Sequence, residues 1–255
     1  MKIDAFLDLF VRETKDALDD NLAGIYLHGS LCMGCFHEKK SDVDLLVAVY
    51  RPLTMAEKRT YLDKVMRLNE NAPTKGIEMS VVLKRDMMAF CHPAPYDMHF
   101  SNAHLESYKN DPDGTLLRLT GKDRDLAAHV RIMNVYGRTL FGEDKDCVFS
   151  RVSHEDYLDA LMYDIENARC DILDQPMYVT LSLCRVLAYV KDGAILSKKD
   201  GGEWALKNVK EEYHEIILEA LNAYQSEGDM HASGEALIRF ADHMLISIRR
   251  ETQRV

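Results

Sequence analysis

Residues 28–47, which read H-G-S-L-C-M-G-C-F-H-E-K-K-S-D-V-D-L-L-V, are the segment that decides the fold. A short apolar run at residues 24–28 ends in a Gly-Ser turn, and Asp42 and Asp44 open a second apolar run at residues 43–49. Side chains two positions apart on a strand point to the same face, so the two carboxylates share one face. Adjacent carboxylates are costly unless a cation neutralises them, and oxygen ligands that leave room for phosphates suit Mg²⁺. The segment therefore predicts a metal-dependent phosphate site at the end of a strand.

Three further residues support this prediction. Gly29 allows the backbone to approach a ligand closely, and Ser30 offers a hydroxyl and an N–H to a phosphate oxygen. Residues 76–83 alternate as a strand does, with Glu78 on the face opposite to the apolar side chains. If this strand lies beside the Asp42 strand, the third carboxylate binds metal or removes a proton from an acceptor hydroxyl. The alternatives are an ordinary acidic turn for the Asp pair and a solvated strand face for Glu78.

The periodicity of the chain divides it into two parts. Up to residue 150 the order is helix, strand, turn, strand, helix, strand, with a helix over residues 54–68 that Thr54 caps, an irregular region, and a connecting helix over residues 122–139. Beyond residue 150 every segment has helical period. We therefore predict an α+β protein, with a small mixed sheet in an N-terminal domain of residues 1–150 and an all-α helical bundle over residues 151–255.

Composition limits the partners that we expect. The chain has 255 residues, 47% of them hydrophobic and 29% charged, which is the balance of a globular protein. The net charge of −10 argues against binding to nucleic acid and is compatible with a cationic ligand. No apolar run approaches the ~20 residues of a membrane span, and the N-terminus has no signal peptide pattern. We expect a cytoplasmic protein without membrane partners, and a monomer or weak oligomer.

Two sets of residues resemble known families. Gly29-Ser30 followed by Ser41-Asp42-Val43-Asp44 resembles the signature of the polymerase-β-like nucleotidyltransferase superfamily. The later part of the chain resembles the helical domain of the aminoglycoside 3''- and spectinomycin 9-adenylyltransferases. The residues that carry this second resemblance are Thr180-Leu181-Ser182-Leu183-Cys184-Arg185, Gly193, Lys198, Glu203-Trp204-Ala205 and Tyr224. Arg124-Asp125-Leu126-Ala127 resembles the connecting helix of the same family.

The resemblance implies an enzyme with a catalytic centre in an N-terminal nucleotidyltransferase domain. It implies that Asp42, Asp44 and Glu78 are catalytic and hold two Mg²⁺, with Glu78 as the base, and that ATP is the co-substrate and lies between the domains. It further implies contacts with the phosphates or metals from Ser30 and Ser41.

The resemblance also implies nucleotide contacts for Asp125, Lys198 and Tyr224. For the acceptor it implies a cationic small molecule, such as spectinomycin or streptomycin, near Tyr108 and Asp174. In that region the chain departs from the family. Residues 104–108 lack the family's Trp, and Gln175 replaces an acidic residue next to Asp174.

Two other functions fit the same residues. A nucleotide-binding regulatory protein would keep the fold without transfer, although it has little physical reason to keep three clustered carboxylates. A transferase of the same chemistry would modify a protein, a tRNA end or another non-antibiotic acceptor. The acidic net charge disfavours RNA.

Overall fold

A mixed β-sheet lies at the centre of the N-terminal half of the protein. The computed structural model describes residues 2–118, 120–226 and 228–253. Within these residues the sheet has five strands in the order β5-β3-β2-β1-β7, and β4 pairs with β6 in a separate ribbon. The strands are β1 (Leu22–Leu27), β2 (Val43–Val49), β3 (Ile77–Leu83), β4 (Ala94–Tyr96), β5 (Met98–Phe100), β6 (Gly121–Asp123) and β7 (Arg138–Gly142). Strands β2 and β3 are parallel, whereas β1 runs antiparallel to β2 and β7, and β5 runs antiparallel to β3.

Helices connect and cover these strands. They are α1 (Ile3–Leu18), α2 (Gly29–Cys32), α3 (Met55–Asn69), α4 (Lys84–Met88), α5 (Leu105–Asn110), α6 (Pro112–Arg118), α7 (Leu126–Tyr136) and α8 (Lys145–Val148). Helix α3 begins as predicted, because Thr54 and Glu57 form a reciprocal capping box at its start. Helices α1 and α3 pack together, and their apolar side chains share one core with alternate residues of the sheet, such as Leu45 and Met79.

The alternation of strand residues explains where the acidic side chains point. The residues of β2 and β3 that join the core with α1 and α3 are odd-numbered, including Val43, Val47 and Val81. Asp44 and Glu78 occupy even-numbered positions, so their side chains project from the opposite face of the sheet.

A buried ion pair joins α3 to the segment before β5. Lys58 Nζ lies 3.0 Å from Asp97 Oδ1, and both side chains are at least 90% shielded from solvent, with exposures of 6% and 8%. Thr120 Oγ1 accepts a further hydrogen bond from Lys58 Nζ at 2.6 Å. Since each charge has partners, the pair is tolerated in the core.

The predicted connecting helix over residues 122–139 is wrong at both ends. Helix α7 occupies only Leu126–Tyr136, with β6 before it and β7 after it. The helix ends where Gly137 turns into extended backbone, and a Cβ at this position would lie 2.2 Å from Met133 Sδ. Strand β7 then adds to the free edge of β1, which is a tertiary pairing that helical periodicity does not report.

The part of the chain that the structure describes divides into two compact units, Met1–Tyr157 and Leu158–Val255. The predicted domain limit at residue 150 remains a prediction. Beyond α9 (His154–Asp164), the second unit is helical, as expected. Its helices are α10 (Ala168–Asp171), α11 (Pro176–Asp192), α12 (Lys198–Asn208), α13 (His214–Gln225) and α14 (Gly234–Thr252).

Helix α11 is the centre of the second unit and packs against α12, α13 and α14. Pro176 lies in its first turn, and Gly193 ends it with a left-handed φ of 68°, the usual pattern for these residues at helix ends. Across residues 2–118, 120–226 and 228–253, we find no helix with the length and apolarity that a membrane crossing requires.

Candidate active site

Parallel pairing of β2 and β3 brings the three predicted carboxylates together. Asp44 lies directly opposite Glu78 in the register of the two strands, and Asp42 immediately precedes β2. One carboxylate oxygen from each of Asp42, Asp44 and Glu78 lies within 4.8 Å of the others, and all three residues are half-buried. Among the described residues, no other set of His, Cys, Asp and Glu side chains forms such a group. The sequence-based prediction of a three-carboxylate cluster agrees with this geometry.

The turn after β1 lies against Asp44. The backbone N–H of His28 donates to Asp44 O at 3.1 Å, and Gly29 then adopts a φ of 62°. A Cβ at Gly29 would lie 1.8 Å from Asp44 Oδ2, far inside any permitted contact. Glycine is therefore required here for its left-handed backbone and also for the approach of the carboxylate.

Two serines flank the cluster in different ways. The Ser30 hydroxyl is shielded from solvent and has no hydrogen-bond partner among the residues that the structure describes. Such a group is expected to meet a ligand or water. Ser41 Oγ, in contrast, accepts the backbone N–H of His37 at 3.1 Å and so closes the loop that leads into Asp42. The structure gives Ser41 a role in shaping this loop.

The electrostatics of the cluster depend on burial and on neighbouring charge. Burial raises the pKa of Glu78, His129 lowers it, and the carboxylates of Asp42 and Asp125 raise it again, to a net value of about 7. A carboxylate whose pKa lies near neutrality is suited to accept and release a proton. The same crowding of negative charge favours a cation.

His129 is a member of this site that the sequence analysis missed. Its Nε2 lies 3.1 Å from Asp125 Oδ2, one helical turn away on α7, and its ring centroid lies 4.9 Å from that of His28. Burial lowers the pKa of His129, but Asp125, Glu78 and Asp44 outweigh burial and raise it to about 10. The signal in the sequence is a lone His four residues after Asp125, in the otherwise apolar run Leu126–Val130.

In the second unit, Lys198 belongs to a charged cluster. Its Nζ lies 3.9 Å from the centroid of the Tyr178 ring, a cation–π distance. Tyr178 donates its hydroxyl to Asp164 Oδ1 at 2.9 Å, and Arg185 Nη2 donates to Asp164 Oδ2 at 3.1 Å. Asp164 therefore holds both an aromatic and a cationic partner beside Lys198. Neither Asp164 nor Tyr178 was predicted from the sequence for this role.

The other predicted contacts lie in different environments. Tyr224 is buried in α13, and Asp174 is exposed in the turn before α11. Tyr108 is only 2% exposed, stacks on Phe100 and donates its hydroxyl to His99 O at 2.9 Å. Packing explains Tyr108 as a core residue of the first unit, and this burial argues against its predicted contact with an acceptor.

The arrangement thus presents three hard oxygen ligands beside a Gly-Ser turn, with a shielded hydroxyl and a carboxylate whose pKa is near neutrality. Oxygen ligands of this type suit Mg²⁺ together with phosphates.

Comparison with known proteins shows which enzymes the chain is similar to. Residues 147–247 match the C-terminal domain of aminoglycoside adenylyltransferases. An aminoglycoside (3'') (9) adenylyltransferase of Klebsiella pneumoniae is 26% identical over 222 residues, covering 85% of this chain and 83% of the relative. A spectinomycin 9-adenylyltransferase of Enterococcus faecalis is 24% identical over 217 residues, covering 82% of each chain.

The fold has a solved counterpart. The crystal structure of the spectinomycin adenylyltransferase from Enterococcus faecialis with ATP and spectinomycin superposes with a TM-score of 0.82 at 20% identity. The match covers 96% of this chain and 98% of the other, so both units have their equivalents. The chain is therefore a nucleotidyltransferase similar to the aminoglycoside adenylyltransferases.

Proposed function

We propose that this protein transfers AMP from ATP to a hydroxyl of a cationic aminoglycoside or aminocyclitol antibiotic and releases pyrophosphate. The convergence of Asp42, Asp44 and Glu78 beside the Gly29-Ser30 turn is the observation that carries the proposal. Relatives that align with more than four-fifths of the chain act on such antibiotics by name, which supports the acceptor class.

The proposed reaction is a displacement at the α-phosphorus of ATP. The acceptor oxygen forms a bond to this phosphorus as the bond to the pyrophosphate oxygen breaks. Glu78 takes the proton of the acceptor hydroxyl as the general base. In this proposal the shielded Ser30 hydroxyl donates to a phosphate oxygen next to the turn.

The residues present fit magnesium. Asp42, Asp44 and Glu78 would hold two Mg²⁺, since carboxylate oxygens within 4.8 Å of one another are hard ligands for this ion, and the orphaned Ser30 hydroxyl directly follows Gly29, which lies against Asp44. When bound, Mg²⁺ would offset negative charge on the phosphate oxygens during the transfer.

Further residues would supply contacts to ATP and to the acceptor. In this proposal Asp125, Lys198 and Tyr224 contact the nucleotide, with the Lys198 ammonium on phosphate oxygens. Ser41 supports the metal-binding loop through its hydrogen bond with His37. Exposed Asp174 offers a carboxylate to a cationic acceptor.

Pyrophosphate release from ATP and Mg²⁺ tests the function directly. The panel contains spectinomycin, streptomycin, other aminoglycosides, a lincosamide and a reaction without acceptor. We expect release with spectinomycin or streptomycin only, and mass spectrometry should show the acceptor heavier by one AMP. If no compound of the panel elicits pyrophosphate release while the protein still binds ATP, the proposal of an antibiotic acceptor is refuted.

Variants of the carboxylates test the mechanism. Asp42→Asn and Asp44→Asn should abolish release, whereas Asp63→Asn, an exposed carboxylate of α3, should behave as the wild type. Glu78→Gln should still bind ATP but turn over at least ~100-fold more slowly, because it cannot take the proton. Full activity of the Glu78→Gln variant would show that Glu78 is not the base.

A further inference from the structure

We propose that His129 is a positioning residue, which orients the Asp125 carboxylate toward the nucleotide. This inference rests on the proposed function, because it concerns how the predicted contact at Asp125 is built. The residues concerned lie at the beginning of α7.

The Asp125 side chain does not cap helix α7. The backbone of Asp125 is already helical, with φ of −69° and ψ of −23°, and its N–H donates to Asp123 Oδ1 at 2.9 Å, so Asp123 caps the start of the helix. The Asp125 carboxylate makes no capping hydrogen bond and instead lies beside His129.

His129 determines where this carboxylate lies. Its Nε2 is 3.1 Å from Asp125 Oδ2, at the i,i+4 spacing that brings two side chains onto one face of α7. The imidazole is 16% exposed, whereas the Asp125 side chain is 43% exposed. Within this pair the His129 imidazole is therefore shielded from solvent, and the Asp125 carboxylate is accessible.

The His129 imidazole is held in turn by the residue that follows strand β1. The His129 ring packs at 4.9 Å against the ring of His28, which is 2% exposed. The backbone N–H of His28 donates to Asp44 O at 3.1 Å, and Gly29 follows. His129 thus connects Asp125 to the strand end that carries the acidic cluster, so both features keep one relative position within the first unit.

Two substitutions at His129 separate side-chain volume from hydrogen bonding. Leucine at this position would fill a similar volume but would remove the donor to Asp125. Glutamine would keep a donor for Asp125.

A double-mutant cycle on ATP affinity tests the inference. The Kd for ATP with Mg²⁺ is measured by calorimetry for the wild type, Asp125→Ala, His129→Leu, His129→Gln and the double variant Asp125→Ala/His129→Leu. We expect His129→Leu to raise Kd about tenfold, the scale of one lost hydrogen bond to a charged group. His129→Gln should recover most of this loss, and the double variant should bind no more weakly than Asp125→Ala alone.

Thr14→Val is the matched control for stability. It removes the buried hydrogen bond between Thr14 Oγ1 and Tyr61 OH, 3.0 Å long, in the core of the same unit. It should lower the melting temperature without changing Kd. An unchanged Kd in His129→Leu, or losses that add in the double variant, would overturn the inference. Because the cycle measures binding, absence of pyrophosphate release by the wild type would refute the proposed function separately.

Discussion

Gly29 is the position where a single methyl group should separate folding from activity. In Gly29→Ala the added Cβ would start 1.8 Å from Asp44 Oδ2 and 2.4 Å from its Cγ, in a backbone with φ of 62°. An L-residue in this left-handed conformation costs about 1–2 kcal/mol. The Asp44 carboxylate must also move to relieve the contact, and it has little freedom because it belongs to a strand in the middle of the sheet.

The expected size of the effect follows from these two terms. The free energy of unfolding should fall by about 1–2 kcal/mol, which leaves a folded protein. The rate of transfer should fall by about 100-fold or more, because a displacement on the order of 1 Å at a reacting site has this effect. Urea unfolding and pyrophosphate release measure the two quantities on the same samples.

Gly34→Ala is the matched control for this prediction. Gly34 lies in the same loop with φ of 70°, and a Cβ there would meet nothing within 4 Å. It should lose similar stability and keep its rate within about threefold, since it has the same backbone strain without the contact. If Gly29→Ala transfers AMP as fast as Gly34→Ala, then the close approach of Asp44 is irrelevant to the reaction.

Four further changes probe other parts of the molecule. Thr54→Ala removes the cap of α3 and should cost about 1 kcal/mol in urea unfolding; no change would mean that the capping box contributes nothing. Lys58→Met leaves the buried Asp97 carboxylate without its ion-pair partner and should lower the free energy of unfolding by about 3–5 kcal/mol. A loss below about 1 kcal/mol would contradict the burial of this pair. Burial lowers the pKa of His99 to about 4. The unfolded chain therefore binds more protons than the folded protein between pH 6.5 and 4, and stability falls as the pH drops through this window. His99→Gln should reduce the fall in melting temperature between about pH 6.5 and pH 5. Lys198→Met should raise KM for ATP about tenfold if its ammonium contacts phosphate, and an unchanged KM would remove it from the nucleotide site.

The parts of the fold that were predictable are those with long, regular patterns. Strand β2 and helix α3 were predicted close to their observed limits, because β2 is an apolar run interrupted only by Asp44 and because burial of one face imposes the helical period on the 15 residues of α3. Strand β7 was missed because its burial is incomplete and its pairing with β1 depends on residues more than 100 positions earlier. The strands β4, β5 and β6 have three residues each, too few for any period to show.

The residues of the candidate site likewise include some that could be predicted from the sequence and some that could not. The three carboxylates and the glycine were predictable, since their spacing on strands determines which face they share. His129 was not, because its role comes from the position of α7 relative to β1 and from the contact with His28. Tyr108 shows the opposite case: it was predicted to contact the acceptor, but its side chain is buried in the core of the first unit.

The parallel register of β2 and β3 also predicts where this chain tolerates changes in length. Asp44 and Glu78 meet because both stand at the second position of adjacent strands, and the helical crossover between them contributes no part of that match. Extra residues in the turn at 70–75 would lengthen a surface connection at small entropic cost and leave the carboxylates opposed. One residue inserted between Ile77 and Glu78 would instead turn the acid toward the apolar core. Natural or engineered length variation is therefore permitted in the crossover and forbidden within the first two residues of the strand that follows it.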